Sequence, residues 1–421
     1  MLHFPTMRIF VDNSSYSLCN MGDLAMLQVG VERLRALWPD AQIDVLAGNA
    51  QTLARHCPDA HFIPGAGRNQ FLRPGALIGP LHRKFPCLEA KMRFSAPRLS
   101  LNLIQLRKRL RRGDSQSLRL YWDALSSADL VICTGGGFVT DAFATHGRMT
   151  LENMALAKKL GKSVAMLGQG IGPATQPALV DSLRRYLPML DWLSLREKPV
   201  GEPLLHSLGF PAAKTLVTGD DAIEFAFRHR SAELGQNVGF NVRVTNYSGL
   251  DREMAQALVA PARNLAAQHG SQVLPVPISR YGSASDVAYL QELLGNGGDE
   301  LDTPGAVASQ VALCRLVVTG SYHAGVFALS QGVPVVAISN SPYYDAKFEG
   351  LKAQFGGGVT LVRTGEKDWA NSYQQTLNTS WDAAPQQRES LLEAARRQIE
   401  LSKEAYAKLP TLLAQNGTKT A

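Results

Sequence analysis

Proton transfer in this 421-residue chain has one well-placed candidate, His323, in the run Thr319-Gly320-Ser321-Tyr322-His323-Ala324-Gly325. The run follows the apolar Leu316-Val317-Val318, so His323 reads as a residue at a strand-to-helix turn. The positive end of a helix disfavours the imidazolium there and leaves the ring as a neutral donor or acceptor. Asn20-Met21-Gly22-Asp23 offers a carboxylate and an amide at a second helix start, where simple capping is the competing explanation. Two glycine-rich loops, Thr134-Gly135-Gly136-Gly137 and Gly168-Gln169-Gly170-Ile171-Gly172-Pro173, let backbone amides come close to an anion. Neither has the GK[ST] ending or the GxGxxG spacing of a nucleotide loop. Arg148, Arg196, Arg243, Arg280 and Lys347 lie near strand ends, the residue types that grip carboxylate and phosphate. Tyr343 and Tyr344 offer faces for a sugar ring, or simple packing. No His, Cys or Asp cluster has metal-ligand spacing, and a helix cap explains Asp220-Asp221, so no metal site is expected.

The elements that must hold these residues alternate between strand and helix. MRIFVDN, then a helical pattern through Leu24, Leu27, Val31 and Leu34, then AQIDVLAG form a β-α-β unit, the building block of a parallel sheet. The rhythm resumes at ADLVICTGGG, KSVAMLGQGIGP and WLSLRE, and a second series runs through QNVGFNVR, SQVLPVPIS, CRLVVTG and VPVVAIS. The expected fold is therefore α/β, two Rossmann-like parallel-sheet domains meeting near residues 222–236 and facing a cleft. In such sheets ligands bind at the carboxyl ends of the strands, which is where the candidate loops sit. The boundaries read as 1–222, 236–380 and a helical tail over 381–421 that packs back across the joint. Residues 64–98, rich in Pro, Gly and Arg, read as irregular, the start of a basic insertion over about 64–120.

Composition excludes several classes. With 45% hydrophobic and 19% charged residues the chain is an ordinary globular one, neither collagen-like nor largely disordered. There is no run of about 18 apolar residues to span a bilayer, and no signal-peptide pattern at the start. Five scattered cysteines (Cys19, Cys57, Cys87, Cys133, Cys314) suit a reducing cytoplasm better than a disulfide framework. The net charge of +7 is unevenly spread, because Arg68–Arg119 holds thirteen Lys or Arg against Glu89 and Asp114. Within it, Leu99, Leu103, Leu106 and Leu110 recur at helical spacing beside Arg107, Lys108, Arg109, Arg111 and Arg112. Such a helix suits an anionic membrane surface or a polyanionic substrate; a core-facing helix with a solvated basic side is the plainer alternative. No nucleic-acid-binding motif accompanies it, so nucleic acid is not expected as a partner.

Taken in order, these pieces resemble the polysaccharide pyruvyl transferase family. The likeness rests on Asn20-x-Gly22-Asp23, Gly135-Gly136-Gly137, Gly168 to Pro173, Leu195-Arg196-Glu197, Gly219-Asp220-Asp221, and His323 followed by FALSQGVPVVAI and Lys347-x-x-Gly350-Leu. It runs from about Met7 to Phe355. One departure stands out: the family usually has Arg-Leu-His where this chain has Ser321-Tyr322-His323. The resemblance implies a GT-B-like arrangement, with the first domain on the acceptor side and the second on the donor side. It implies phosphoenolpyruvate as donor substrate, no cofactor, and a sugar of a cell-surface polysaccharide or lipid-linked glycan precursor as acceptor. By the same resemblance His323 and Asp23 are catalytic, while Arg196, Arg243, Arg280, Lys347, Gly320 and Ser321 hold the donor. Asn20, Gly22, Gly136, Gly137, Gln169 and Tyr344 then face the acceptor. Either Arg280 or Lys347 replaces the missing arginine, or the donor differs. A nucleotide-sugar glycosyltransferase and a non-catalytic glycan-binding relative are the other readings. The expected location is cytoplasmic, at the inner face of the membrane through residues 68–119; oligomeric state is not legible.

Overall fold

The computed structural model describes residues 6–13, 16–111, 113–244, 249–282 and 285–417; Arg112 of the basic cluster lies outside them. Eight strands form the first sheet: β1 (Arg8–Asp12), β2 (Gln42–Ala47), β3 (His61–Pro64), β4 (Leu130–Cys133), β5 (Gly136–Val139), β6 (Ser163–Ile171), β7 (Trp192–Leu195) and β8 (Thr215–Val217). Their order is β3-β2-β1-β4-β6-β7-β8, with β5 paired to β6. The second sheet holds β9 (Asn237–Asn241), β10 (Val273–Pro275), β11 (Cys314–Thr319), β12 (Val335–Ser339) and β13 (Val359–Arg363), in the order β10-β9-β11-β12-β13. Every pairing between these strands is parallel, as between Val11 and both Val45 and Ile132. Parallel sheets are covered on both faces, which is why their central strands read as unbroken apolar runs. All nine residues of β6 are buried.

The strands that the apolar pattern misses are β3, β5, β8 and β13. Three of them lie at sheet edges, where half-exposed positions dilute the apolar signal, as in β8, none of whose three residues is fully buried. The fourth, β5, opens on Gly136-Gly137 and has few side chains to reveal it.

The first helix, Met21–Leu37, belongs to both halves. Leu24, Leu27, Val31 and Leu34 pack on the first sheet, as their spacing predicts. Met21, Ala25, Met26 and Val29 pack with Ala222 at the joint and with Tyr322 and Ala324 of the second half. Backbone bonds beside it also stitch the halves together, since Met21 N–H donates to Ile278 C=O and Arg280 N–H to Cys19 C=O, both at 2.8 Å.

The helical tail begins earlier than expected, at Trp369, and runs to Ala407, with a second helix over Leu409–Gly417. Tyr373, Leu377 and Trp381 lie on the second sheet, Leu391, Ala394 and Ile399 at the joint, and Ala405 and Tyr406 on the first. Near its end Tyr406 Oη donates to Asp221 Oδ2 at 2.8 Å, while Arg33 Nη1 donates to Asp221 Oδ1 at 2.9 Å.

The reading of 64–98 as irregular is wrong. Helices cover Gly65–Leu72, Pro86–Ser95 and Pro97–Leu110, and a 3₁₀ turn covers Gly79–Arg83. Buried ion pairs anchor them. Arg68 is fully buried and donates to Asp12, and Arg93 Nε donates to Glu152 Oε1 at 2.7 Å. Some of the charge that reads as surface in the sequence is therefore structural.

Candidate active site

A cavity of about 340 Å³ opens between the sheets, walled by loops from the carboxyl ends of strands in both. The first half contributes Asn20, Asp23, Gly136, Gly137, His146 and Arg196; the second contributes Arg243, Ser279, Ser321, His323, Tyr344 and Lys347. With Tyr343, which also lines it, eleven of the residues singled out in the sequence meet in one place.

Five others do not line it. Arg148 lies elsewhere on the first half, its Nε donating to Ser182 Oγ at 3.3 Å. Gln169 is buried in β6, where its Nε2 donates to the carbonyls of Thr134 and Leu167, and it does not line the cavity. Arg280 is turned away from the cavity, donating to the carbonyls of Gly298, Asp299 and Leu301. Gly320 lies beneath the loop, its N–H bonded to Asn241 C=O at 3.0 Å. Gly22 acts by its emptiness, because a Cβ there would fall 2.0 Å from His323 Cγ. Only glycine lets the first helix pass this close to the imidazole.

Asn20 caps the helix it precedes, accepting from Gly22 N–H at 3.0 Å and Asp23 N–H at 3.1 Å. The capping explanation is therefore correct, and the capped turn presents Asp23 to the cleft. Burial raises the Asp23 carboxyl above the usual range, helped by Asp220 and opposed by His323, Lys347 and Arg196. A carboxylate so placed is a better base than a solvated one.

His323 sits in the first turn of the helix Tyr322–Ser330. Its Nε2 lies 3.6 Å from Asp220 Oδ2, an ion-pair separation too long for a hydrogen bond. Burial pushes Asp220 up, but His323, Arg196 and the Ala222 amide outweigh it and hold the carboxyl below its ordinary range. Asp220 both caps Ala222 N–H at 2.9 Å and faces the imidazole. The cap explanation offered for the acidic pair is thus half the account.

The cations converge on the same space. Arg196, 1% exposed, follows β7; its Nε donates to Glu197 at 2.6 Å and Nη1 reaches Asp220 at 3.4 Å. Its guanidinium stacks 4.0 Å from the Tyr322 ring centre. Arg243 follows β9 and is aimed by Asp286, whose carboxylate takes Arg243 Nη1 at 3.1 Å and also the Ile278 and Ser279 amides. Lys347 Nζ lies 4.1 Å from the ring centre of Tyr343. Burial first, then Arg196, pushes its ammonium pKa down to about 7. Gly137 keeps the approach open, since a Cβ there would lie 2.4 Å from Arg196 Nη2 and 3.1 Å from Lys347 Nζ.

Three buried polar atoms here lack a hydrogen-bond partner among the described residues: Arg196 Nη2, Tyr322 Oη and His323 Nε2. An orphaned buried donor costs about 1–3 kcal/mol, so three in one cavity mark where a ligand's oxygens belong. The N-terminal amides of the helix Tyr322–Ser330 add positive potential at the same wall. Sequence reasoning missed Tyr322, His146, Ser279 and the aromatic pair Phe138 and Phe143, all of which line the cavity. Tyr322 stands inside the His323 run, where its neighbours drew the attention; the others stand in no motif whose spacing announces chemistry. Among the described residues no three His, Cys, Asp or Glu side chains gather to hold a metal ion.

Solved structures with the same fold span nearly the whole chain. A Listeria monocytogenes protein provisionally described as a UDP-N-acetylglucosamine 2-epimerase aligns at TM-score 0.58 and 14% identity, covering 98% of each chain. The UDP-GlcNAc 2-epimerase from Neisseria meningitidis bound to UDP-GlcNAc aligns at 0.55 and 13%, covering 96% of this chain and 100% of its own. The glycotransferase of kitacinnamycin aligns at 0.55 and 11%, covering 97% and 100%. These show the GT-B-like fold. A search of curated proteins finds no match. The family model for polysaccharide pyruvyl transferase matches residues 20–342, from the helix cap at Asn20 past the His323 turn, and the chain belongs to that family.

Proposed function

We propose that this protein transfers pyruvate from phosphoenolpyruvate onto a sugar as a cyclic ketal, on a cell-surface polysaccharide or a lipid-linked precursor of one. The observation that carries the reading is the cationic cavity of Arg196, Arg243 and Lys347, with the uncommitted Nη2 of Arg196, facing His323 and Asp23. A donor bearing both carboxylate and phosphate needs several cations held without water. Ser321 stands where the resemblance leads one to expect arginine, and in this reading Lys347 takes that share of the charge.

The reaction divides into two additions. Asp23 accepts the proton of one sugar hydroxyl as its oxygen bonds to C2 of the enol. His323, whose Nε2 lies 3.6 Å from the Asp220 carboxylate, delivers a proton to the methylene carbon, which becomes the methyl group. The second hydroxyl then bonds to C2 and gives its proton to His323, left as a base by the first step, while the C2–O bond to phosphate breaks, its electron pair leaves with inorganic phosphate, and Asp23 passes its proton to that phosphate. One enol phosphate and one diol thereby give one ketal and one phosphate. The Nη2 of Arg196 and the ammonium of Lys347 stabilise the departing charge. Tyr343 and Tyr344 offer ring faces to the acceptor.

The relatives of like fold named above with UDP-GlcNAc or glycosyl transfer support a second reading, a nucleotide-sugar transferase. Calorimetric titration separates the two. Phosphoenolpyruvate binding to wild type, lost in Arg196→Gln, supports pyruvyl transfer, whereas binding of UDP- or GDP-sugars alone overturns it.

A further inference from the structure

Leu99, Leu103, Leu106 and Leu110 occupy one stripe of the helix Pro97–Leu110, and that stripe faces solvent. They are 58%, 42%, 54% and 78% exposed, while the opposite face packs through Ser100, Leu101 and Ile104. The core-facing alternative for these leucines is therefore wrong. The adjoining segment adds Leu81 at 57% and Phe85 at 52%; of the ten large hydrophobic side chains exposed among the described residues, eight fall between Leu81 and Leu120. Water gives no reason to gather them, and a contiguous apolar patch marks an interaction surface.

The charge beside the patch says what kind of surface it meets. Arg83, Lys84, Lys91, Arg98, Arg109 and Arg111 are exposed around it. The one acid between Leu81 and Arg111 is Glu89, fully buried against His82 and Arg93. No exposed acid therefore tempers the positive potential over this stretch of described residues. Apolar side chains ringed by long cations match an interface whose interior is hydrocarbon and whose surface is anionic.

We propose that the face formed by residues 81–111 docks on an anionic lipid bilayer, with the leucine stripe of Pro97–Leu110 dipping below the headgroups and the surrounding Arg and Lys on the phosphates. This goes beyond the transfer chemistry and does not depend on the donor. The docking helices adjoin the first half, and Arg107 Nη1 reaches the carbonyls of Gly75, Ala76 and Leu77, tying the helix to the turn before Gly79. A bilayer held there brings a lipid-linked acceptor to the enzyme by diffusion in two dimensions.

Vesicle flotation of the full chain tests the proposal. Wild type is expected to float with phosphatidylcholine vesicles containing phosphatidylglycerol, to stay behind with phosphatidylcholine alone, and to be released by salt. Leu103→Ser/Leu106→Ser and, separately, Arg98→Glu/Arg109→Glu should each weaken flotation about tenfold or more. All four side chains are exposed, so thermal melts and phosphoenolpyruvate binding should match wild type and rule out misfolding. Wild type that ignores anionic vesicles overturns the proposal. So does a wild-type dimer in light scattering that Leu103→Ser/Leu106→Ser turns into a monomer, because the stripe then covers a second copy. Loss of donor binding with flotation intact would sink the transfer reading instead.

Discussion

At the scale of single residues, the site depends on a contact between a glycine and a histidine from different halves. Gly22→Ala places a methyl group inside the His323 ring, and the backbone of a capped helix start has little room to yield. Activity should fall about 100-fold, the typical worth of a positioned general acid, and His323→Ala should fall as far. Overpacking should also cost about 1–3 kcal/mol of stability. Steady-state rates beside a melt of the same variant check both, and an unimpaired Gly22→Ala enzyme would remove His323 from the mechanism. Lys347 adds a pH signature. Its ammonium is depressed to about 7, so its charge is complete below that value and is lost as pH rises through it. Affinity for an anionic donor should therefore decline as pH rises above about 7. KM for phosphoenolpyruvate measured across pH should show that limb in wild type and lack it in Lys347→Gln. Stability runs the other way, because the unfolded chain takes up this proton near 10.4 and the native state near 7. The native state thus loses stability as pH falls through that window.

At the scale of elements, one long helix carries the joint. Trp369–Ala407 touches the second sheet, the joint and the first sheet in turn, and its last turns close a buried network of Arg33, Asp221, Ser402 and Tyr406. Removing one partner of a buried pair strands the other, at about 3–5 kcal/mol. Glu224 also accepts from Arg33, so Asp221→Ala should lie at the lower end of that range. Tyr406→Phe, which leaves Asp221 bonded to Arg33 and Ser402, should cost only about 1 kcal/mol. Urea denaturation of both variants measures this. Equal losses would mean that Asp221 does not organise the network.

At the scale of the whole molecule, both halves supply the cavity, so a donor bound there links them. Phosphoenolpyruvate at about 100 times its Kd should stabilise the native chain by about 2.7 kcal/mol. The same addition should leave Arg196→Gln unmoved. A thermal shift with UDP-GlcNAc and none with phosphoenolpyruvate would transfer the cavity to nucleotide-sugar chemistry. The docking face at residues 81–111 lies on the first half alone, so its lipid binding should be independent of donor.

The sequence determined what local periodicity and composition can carry. The central strands β1, β2, β4, β6, β7, β9, β11 and β12 were legible because two-sided burial demands continuous apolar runs. His323, Asp23, Arg196 and Arg243 were legible because the loops and helix starts that follow strand ends gather ligand-binding residues in this fold, whereas Lys347, inside the helix Pro342–Phe355, was legible through the family resemblance. Tertiary structure alone decided the rest. The direction of a long side chain is set by packing partners far along the chain, so Arg280 turned to the carbonyls of residues 298–301 while Arg196 turned into the cleft. Gly22 owes its role to a ring three hundred residues away in sequence. The leucine stripe at 99–110 has the spacing of a core face, and spacing cannot say whether a face meets protein or solvent. That depends on which side of the helix the remainder of the fold leaves uncovered.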